Sequence, residues 1–519
     1  WDYDGLMYHL EGPRQFLNAG RILPLSFISQ ANGPMLIEML FTLGIAFGID
    51  QLSKLIHLTY GILLILATYS LGERYLGRNK GWMPAAMLIG TPMVVIIAGF
   101  VYIDLAWGLY TVLSIYAILM WRETEQRGYL ILGGILTGLM VGTKYFAIGY
   151  AGIFLVMILW IDRRSEWNRI IRNLLIFGGV SFLIGMPWYL KNWFLTGNPV
   201  YPLFFGGPYW PIDRVQISAI YPRSFGTGND LLDYLLLPIN IFVHQERFST
   251  FLGDLEDPNP WFLLILFFPL VKKKSPELIL IFVIVVVGFV YWALGSQQIR
   301  FLLPLFTGFS ILAVRTLNGF TNRLASKRLR RVLPNAILGA GLIYSLIVSL
   351  NLFILTQPLK TVIDQETRGE FLTRLSANPG WNYKSLSFIQ SELTFDNKVL
   401  LIWDGQSYYC NDRCIPDTDN SLWTYFFHTH KNIPTLTQQL HEMGVTHLLI
   451  NTANTRFMME HDLSGHHREA LIFLVEEFIP TCTKEIYRDP GTRIYELTCS
   501  VSMGTSEIII GSRKEFAAV

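Results

Sequence analysis

The sequence predicts a helical membrane protein of about ten spans that ends in a small soluble α/β domain. Its 519 residues are 51% hydrophobic and only 15% charged, whereas a soluble domain carries about 25% charged residues. Long apolar runs separated by short polar loops recur through residues 1–355. From residue 356 onward the composition becomes that of a water-soluble domain, which we assign to residues 356–519.

Residues 1–52 are expected to form the first outer loop. Its apolar run, residues 33–47, is too short for a span, which needs about 20 residues, so we predict a helix at the membrane interface. The chain starts at Trp1 without Met or a signal-like segment, and we expect one further transmembrane helix before it. The start of the loop is polar, acidic and aromatic, with four candidate residues: Asp2, Asp4, Tyr8 and His9.

The spans are assigned from their length and from the basic residues beside them. Lys and Arg are enriched in cytoplasmic loops, so Arg74, Arg78 and Lys80 place the end of the first span inside. An even number of spans then leaves both ends of the membrane domain outside. In order, the predicted spans are 53–72, 83–100, 105–121, 129–141, 146–160, 173–189, 260–271, 277–294, 301–314 and 332–355.

Three ionisable residues fall at the predicted outer ends of spans: Asp104, Lys144 and Arg300. Each has an ordinary explanation, because Asp104 could cap its helix and the two cations could reach toward lipid head groups. Ionisable groups at membrane depth are nevertheless costly unless they are paired or used. Their convergence with the acidic first loop favours a site in which cations hold a phosphate leaving group and a carboxylate activates a nucleophile.

The long outer loop, residues 191–258, is rich in Pro, Gly and aromatic residues. Trp188 and Trp193 lie where the preceding span meets this loop, and either ring could stack on a sugar or a prenyl chain. Anchoring at the membrane interface is the more usual role for Trp at such positions and is the alternative for both residues.

The C-terminal domain is predicted to contain strand 398–403, helix 435–443, strand 447–451 and a hairpin formed by 479–487 and 493–499. All four cysteines lie there. Cys482 and Cys499 are on opposite arms of the hairpin and could face one another, and Cys410 and Cys414 could close a tight loop. Two disulfides would indicate an oxidising compartment, and four reduced thiols are the alternative.

Several short motifs resemble, in order and in predicted sidedness, the membrane-embedded glycosyltransferases of fold class C. The similarity is to the protein O-mannosyltransferase and aminoarabinose transferase group, glycosyltransferase family 39-like, and it covers residues 1–355. The motifs are Asp4 with Tyr8, Asp104 within Tyr-Ile-Asp-Leu-Ala, Gly142-Thr143-Lys144, Met186-Pro187-Trp188-Tyr189, the segment 196–202, and Arg300-Phe301-Leu302-Leu303-Pro304.

The resemblance implies an inverting transfer of a sugar from a polyprenyl-phosphate donor to a lipid, glycan or protein acceptor. The reaction would take place on the outer face of a bacterial inner membrane, with the C-terminal domain on the same side. It implies that Asp4 is the catalytic base and that Asp104 either orients the acceptor or shares a metal with Asp4. Lys144 and Arg300 would hold the donor phosphate, while Asp2, Tyr8, His9, Trp188 and Trp193 would contact substrate.

The family often has an acidic residue directly after the catalytic aspartate, but this chain has Gly5. The family's divalent metal, Mg²⁺ or Mn²⁺, is therefore only a possibility, and its ligands stay unassigned. The net charge of +2 without a basic arm argues against nucleic acid as a partner.

Two other functions remain open from the sequence. A transporter or flippase for a lipid-linked solute would also need many spans, although transporters usually show internal repeats, which we do not find here. A structural subunit that has the fold but lacks activity is the second alternative, and Gly5 is the residue that suggests it.

Overall fold

The structure is a computed structural model, and it describes residues 1–228, 230–250, 256, 258–376 and 380–499. Within these residues, six helices are long and apolar enough to cross a membrane. They are Leu52–Leu76, Asp104–Thr124, Trp167–Thr196, Pro276–Leu294, Ile299–Thr321 and Lys327–Thr356.

The other four predicted spans correspond to shorter or interrupted helices. Residues 83–100 were predicted as one span but form two helices, because Pro92 starts the second one and supplies no N–H to continue the first. The helices that correspond to these four spans are Trp82–Ile89 with Pro92–Ile97, Arg127–Val141, Ala147–Asp162 and the 3₁₀ helix Pro260–Leu270. The ten predicted segments are therefore all helical, and six of them meet the length of a span.

The first loop begins with a π-helical turn, Gly5–His9, and continues into helix Glu11–Ala19. A 3₁₀ turn, Gln30–Asn32, precedes helix Glu38–Ala46, which is the short helix predicted for the apolar run 33–47.

The long loop starts later than predicted, since the preceding helix continues to Thr196. It contains helices Ile212–Ser218, Ile220–Arg223 and Leu231–Val243 and the 3₁₀ turn Gln245–Arg247. Residues 229, 251–255 and 257 of the predicted loop are outside the described residues.

The C-terminal domain is built on a five-stranded mixed sheet, as the predicted α/β class requires. We number its strands β1 (Lys398–Ile402), β2 (Cys414–Ile415), β3 (Val445–Asn451), β4 (Thr483–Arg488) and β5 (Thr492–Leu497). Their order across the sheet is β2-β1-β3-β5-β4, with β1 parallel to β2 and β3, and β5 antiparallel to β3 and β4. Strand β1 is buried except at its first residue, so the sheet is the centre of this domain's core.

Short helices precede the first strand of this sheet and connect the later ones. They are Leu359–Val362, Arg368–Leu375, Tyr383–Glu392, Tyr408–Cys410, Leu422–His430, Ile433–Glu442, Thr452–Glu460, His466–Ile472, Phe473–Phe478 and Ile479–Cys482. Residues 377–379 and 500–519 of the predicted domain are outside the described residues.

Both disulfides expected from the sequence are formed. Cys410 is bonded to Cys414 and Cys482 to Cys499. The second bond joins the end of a helix to the residues just after β5, so it closes the base of the β4–β5 hairpin.

The C-terminal domain packs directly on the first loop. The Trp381 indole donates to the carbonyl of Trp1 at 2.8 Å, and the Gly405 N–H donates to the Tyr3 hydroxyl at 3.3 Å. At the rim, Arg14 forms an ion pair with Asp412 at 2.6 Å. The segment around Asp4 is therefore held between the membrane helices and the soluble domain.

Candidate functional site

A cavity of about 990 Å³ lies between the membrane domain and the C-terminal domain. Its walls come from the first loop, from turns at one end of the long helices, from the long loop and from the C-terminal domain. The sequence predicted all of these segments to lie on the outer side. Among the predicted residues, Asp2, Asp4, Tyr8, Lys144 and Arg300 line this cavity.

Asp4 and Arg300 are in direct contact. Arg300 Nη1 lies 2.6 Å from Asp4 Oδ2, and both side chains are largely buried. Asp4 immediately precedes the turn Gly5–His9, which brings the Tyr8 hydroxyl one turn later to donate to Asp4 Oδ2 at 3.3 Å. Burial raises the pKa of Tyr8 well above its ordinary value, so Tyr8 remains a neutral donor to this carboxylate.

Lys144 and Asp104 form a second pair of opposite charges. Lys144 lies in the turn between helices Arg127–Val141 and Ala147–Asp162, and its Nζ is 3.4 Å from Asp104 Oδ1. The same ammonium group lies 3.9 Å from the centre of the Phe301 ring. Asp104 is only 2% exposed and is not one of the cavity-lining residues, so Lys144 separates it from the cavity.

Asp2 explains why residue 5 is glycine. A Cβ on Gly5 would lie 2.0 Å from Asp2 Oδ1, so the Asp2 carboxylate already fills that space. This carboxylate accepts from the Val101 N–H at 3.1 Å and pairs with Lys54 Nζ at 3.3 Å. The departure from the family pattern thus has a local packing reason and is no sign by itself of lost activity.

We expect Gly5→Ala to lower the free energy of unfolding by about 1–3 kcal/mol, the usual cost of overpacking a filled site. The measurement is thermal unfolding of the purified protein in detergent. Gly128→Ala is the matched control, because a Cβ there meets only open space. Equal unfolding temperatures for the two variants would show that the Asp2 carboxylate does not prevent a larger residue at position 5.

His9 and Glu38 form a buried pair, of which only His9 was predicted from the sequence. His9 Nδ1 lies 2.8 Å from Glu38 Oε1, and neither His9 Nε2 nor Glu38 Oε2 has a hydrogen-bond partner among the described residues. Glu38 lines the cavity, whereas His9 lies behind it. Glu38 was missed, although an acid within the apolar run 33–47 is the signal that could have identified it.

The structure does not bring Trp188 or Trp193 to the cavity. Trp193 is 59% exposed on the surface of helix Trp167–Thr196 and stacks on Phe194. Trp188 packs against an apolar cluster of the first loop that includes Phe16 and Met35. Lys191 Nζ lies 5.4 Å from the centre of the Trp188 ring. Interface anchoring, the alternative function considered for both, fits these positions. The cavity takes its aromatic faces instead from other residues, including Trp1, Tyr221, Phe301 and Trp381.

The residues present do not fit the divalent metal considered from the resemblance. Each of the three aspartates is already paired with a cation, Asp2 with Lys54, Asp4 with Arg300 and Asp104 with Lys144. Within the described ranges, no group of three or more His, Cys, Asp or Glu side chains is arranged to hold a metal ion.

Comparisons with known proteins bear on the fold. No family model matches the sequence, and no curated protein matches it either. Solved structures do match. ArnT from Cupriavidus metallidurans bound to undecaprenyl phosphate matches with a TM-score of 0.54 and 14% identity, over 96% of this chain and 94% of that chain. The apo state of the same protein gives a TM-score of 0.56 with 14% identity, over 94% of this chain and 92% of that chain.

The archaeal oligosaccharyltransferase AglB from Archaeoglobus fulgidus also matches. It was solved in complex with an inhibitory peptide and a dolichol-phosphate. The TM-score is 0.52 at 13% identity, over 95% of this chain and 70% of that chain. The predicted fold, a class C membrane glycosyltransferase fold with a C-terminal soluble domain, is therefore confirmed. At these identities the likeness is one of fold.

Proposed function

We propose that this chain, which has the fold of membrane glycosyltransferases, transfers a sugar from a polyprenyl-phosphate donor to an acceptor hydroxyl with inversion. The observation that carries the proposal is the pair of carboxylate–cation contacts, Asp4 with Arg300 and Asp104 with Lys144, at the membrane side of one large cavity. Both proteins with a matching fold have been solved with a polyprenyl phosphate bound, undecaprenyl phosphate in ArnT and dolichol-phosphate in AglB.

In the proposed reaction, Asp4 accepts the proton of the acceptor hydroxyl while the acceptor oxygen forms a bond to the anomeric carbon. The bond from that carbon to the phosphate oxygen breaks, and the polyprenyl phosphate leaves with its negative charge. A single displacement of this kind inverts the anomeric configuration. Tyr8, which donates to Asp4, keeps the carboxylate oriented.

Lys144 and Arg300 stabilise the phosphate that leaves. Arg300 uses Nη1 for Asp4, and its Nε has no partner among the described residues, so the guanidinium retains donors for a phosphate. Lys144 supplies a point charge on the cavity wall. Asp104 does not line the cavity, so we assign it as a positioning residue that holds Lys144.

The cavity also distinguishes this proposal from the transporter hypothesis. The lining residues all come from segments predicted to be outer, and none comes from a predicted cytoplasmic loop. A carrier would need its polar path to continue through the bundle to the other side. A glycosyltransferase requires only the outer cavity, where donor and acceptor would meet.

The test is a transfer assay with the purified chain in detergent. Polyprenyl-phosphate sugars of several kinds would be incubated with lipid, oligosaccharide and peptide acceptors, and release of polyprenyl phosphate would be followed. We expect at least one donor to be consumed in an acceptor-dependent manner, with inverted anomeric configuration in the product by NMR. A folded protein that binds such donors but consumes none would support the inactive structural subunit instead.

A further inference from the structure

The C-terminal domain contributes its own polar wall to the cavity, which we call the C-terminal wall. Its polar members are Thr418, Asp419, Asn420 and Asn454, and aromatic rings of Trp381 and Phe457 lie beside them. None of these residues is in the catalytic machinery proposed above.

Two amide side chains of this wall have unused hydrogen-bonding atoms. Asn454 is 3% exposed and donates to the Tyr3 hydroxyl at 3.3 Å, yet its Oδ1 has no partner among the described residues. Asn420 Oδ1 is likewise buried without a partner there. A buried polar atom left unpaired is costly in free energy, and such atoms in a cavity are commonly satisfied by a ligand or by water.

The charge of the wall indicates what kind of ligand group would be accepted. The cavity-lining cations among the described residues are Lys144, Arg223 and Arg300, and none of them belongs to the C-terminal domain. Asp419 is the charged group of the wall, and its charge is balanced by Arg214 Nη2 at 3.1 Å. An anionic group would therefore find no cation on the C-terminal wall, whereas hydroxyl groups could donate to its free amide oxygens.

The elements that carry the wall residues favour a glycan over a peptide bound as an added strand. One common mode of binding an extended peptide is to add it as a strand along the edge of a sheet. The polar wall residues instead come from the segment 418–420 and from helix Thr452–Glu460, outside the five strands. Planar amides beside aromatic rings suit a sugar, which presents hydroxyls at its edge and C–H bonds on its faces.

We propose that the C-terminal wall binds the acceptor and that the acceptor is a neutral, hydroxyl-rich glycan. The inference rests on the proposed function, because the donor phosphate would be held in the same cavity by Lys144 and Arg300, which lie outside the C-terminal domain. Tyr3 links the two regions, since it precedes Asp4 by one residue and its hydroxyl accepts from Asn454. A glycan on this wall would thus lie next to the segment that carries the proposed base.

The test uses two variants of the full chain that remove the free amide oxygens. Asn454→Leu keeps the side-chain size without hydrogen bonding, and Asn420→Gly suits the positive φ of 55° at that position. The matched control is Gln438→Ala, an exposed amide of the same domain that bonds only Glu442 among the described residues. Binding would be measured by titrating neutral linear trisaccharides of glucose, mannose, galactose or N-acetylglucosamine, their sulfated forms, and a hydroxyl-rich peptide.

We expect at least one neutral trisaccharide to bind the parent protein more tightly than its sulfated form. Each variant should weaken that binding roughly threefold to tenfold, the range for loss of one hydrogen bond, and Gln438→Ala should not. Donor binding, measured separately with a polyprenyl-phosphate sugar, should stay unchanged in all three variants. Absence of glycan binding to the parent, preference for the peptide or the sulfated forms, or unchanged binding in both variants would overturn the inference. Failure of the parent to bind any donor would instead count against the proposed function.

Discussion

Replacing Asp4 with Asn is expected to lower the rate of sugar transfer by roughly 10²–10⁴-fold, the usual contribution of a positioned acid–base group. Asn retains the size of the side chain and an oxygen that can accept from Arg300 and Tyr8, so the local structure should persist. It cannot take up the proton of the acceptor hydroxyl. Donor binding should therefore remain close to that of the parent protein, and the loss should appear in the rate of the chemical step.

The control for this variant is Asp412→Asn, which removes an exposed carboxylate at the rim and should leave transfer unchanged. Near-full activity of Asp4→Asn would show that Asp4 is not the base. Asp2, the neighbouring carboxylate in the first loop, is a poor replacement, because its side chain is occupied by Lys54 and the Val101 N–H. Glu38, which lines the cavity with Oε2 unpaired among the described residues, would then be the candidate to test.

Replacing Lys144 with Met is expected to weaken donor binding about tenfold to a hundredfold. A hydrogen bond to a charged group contributes about 1.5–3 kcal/mol, and Met preserves much of the side-chain length without the charge. The measurement is the affinity for a polyprenyl-phosphate sugar, followed by the same measurement with the free polyprenol. The parent protein should prefer the phosphate form, and the variant should lose most of that preference.

Lys144→Met also leaves Asp104 buried without its cation, which is itself destabilising. The double variant Lys144→Met with Asp104→Asn removes this complication and should bind donor as weakly as the single variant while unfolding at a higher temperature. Lys54→Met is the matched control, because Lys54 pairs with Asp2 in the same region and has no proposed contact with the phosphate. Equal donor affinity for Lys144→Met and the parent would remove Lys144 from the site.

The sequence was sufficient to predict that Asp4, Lys144 and Arg300 would meet. Topology alone brings the outer ends of spans to the same side of the membrane, so polar residues at those ends are placed near one another. The pairing within this group could not be predicted, because it depends on how each helix is rotated about its axis. The same limit explains why Trp188 and Trp193 do not line the cavity, although the sequence placed them where the span meets the long outer loop.

The C-terminal wall could not be predicted from the sequence either, but for a different reason. The four predicted strands and the helix predicted at 435–443 follow from local patterns, and their positions agree with the structure to within a few residues. Strand β2 and the other helices of the domain were not predicted. The approach of Asn454 to Tyr3 instead joins residues 451 positions apart. Such a contact depends on how two domains pack, and no motif in either segment encodes it.

We expect the donor phosphate to bind between the first loop and the turns that carry Lys144 and Arg300. The most direct measurement is an experimental structure of the Asp4→Asn variant with a polyprenyl-phosphate sugar, since this variant should bind the donor without consuming it. We expect phosphate density in contact with both the Lys144 ammonium and the Arg300 guanidinium, with the sugar in the cavity beside residue 4. A phosphate bound away from both cations, or a lipid that crosses the bundle toward the predicted cytoplasmic side, would contradict it.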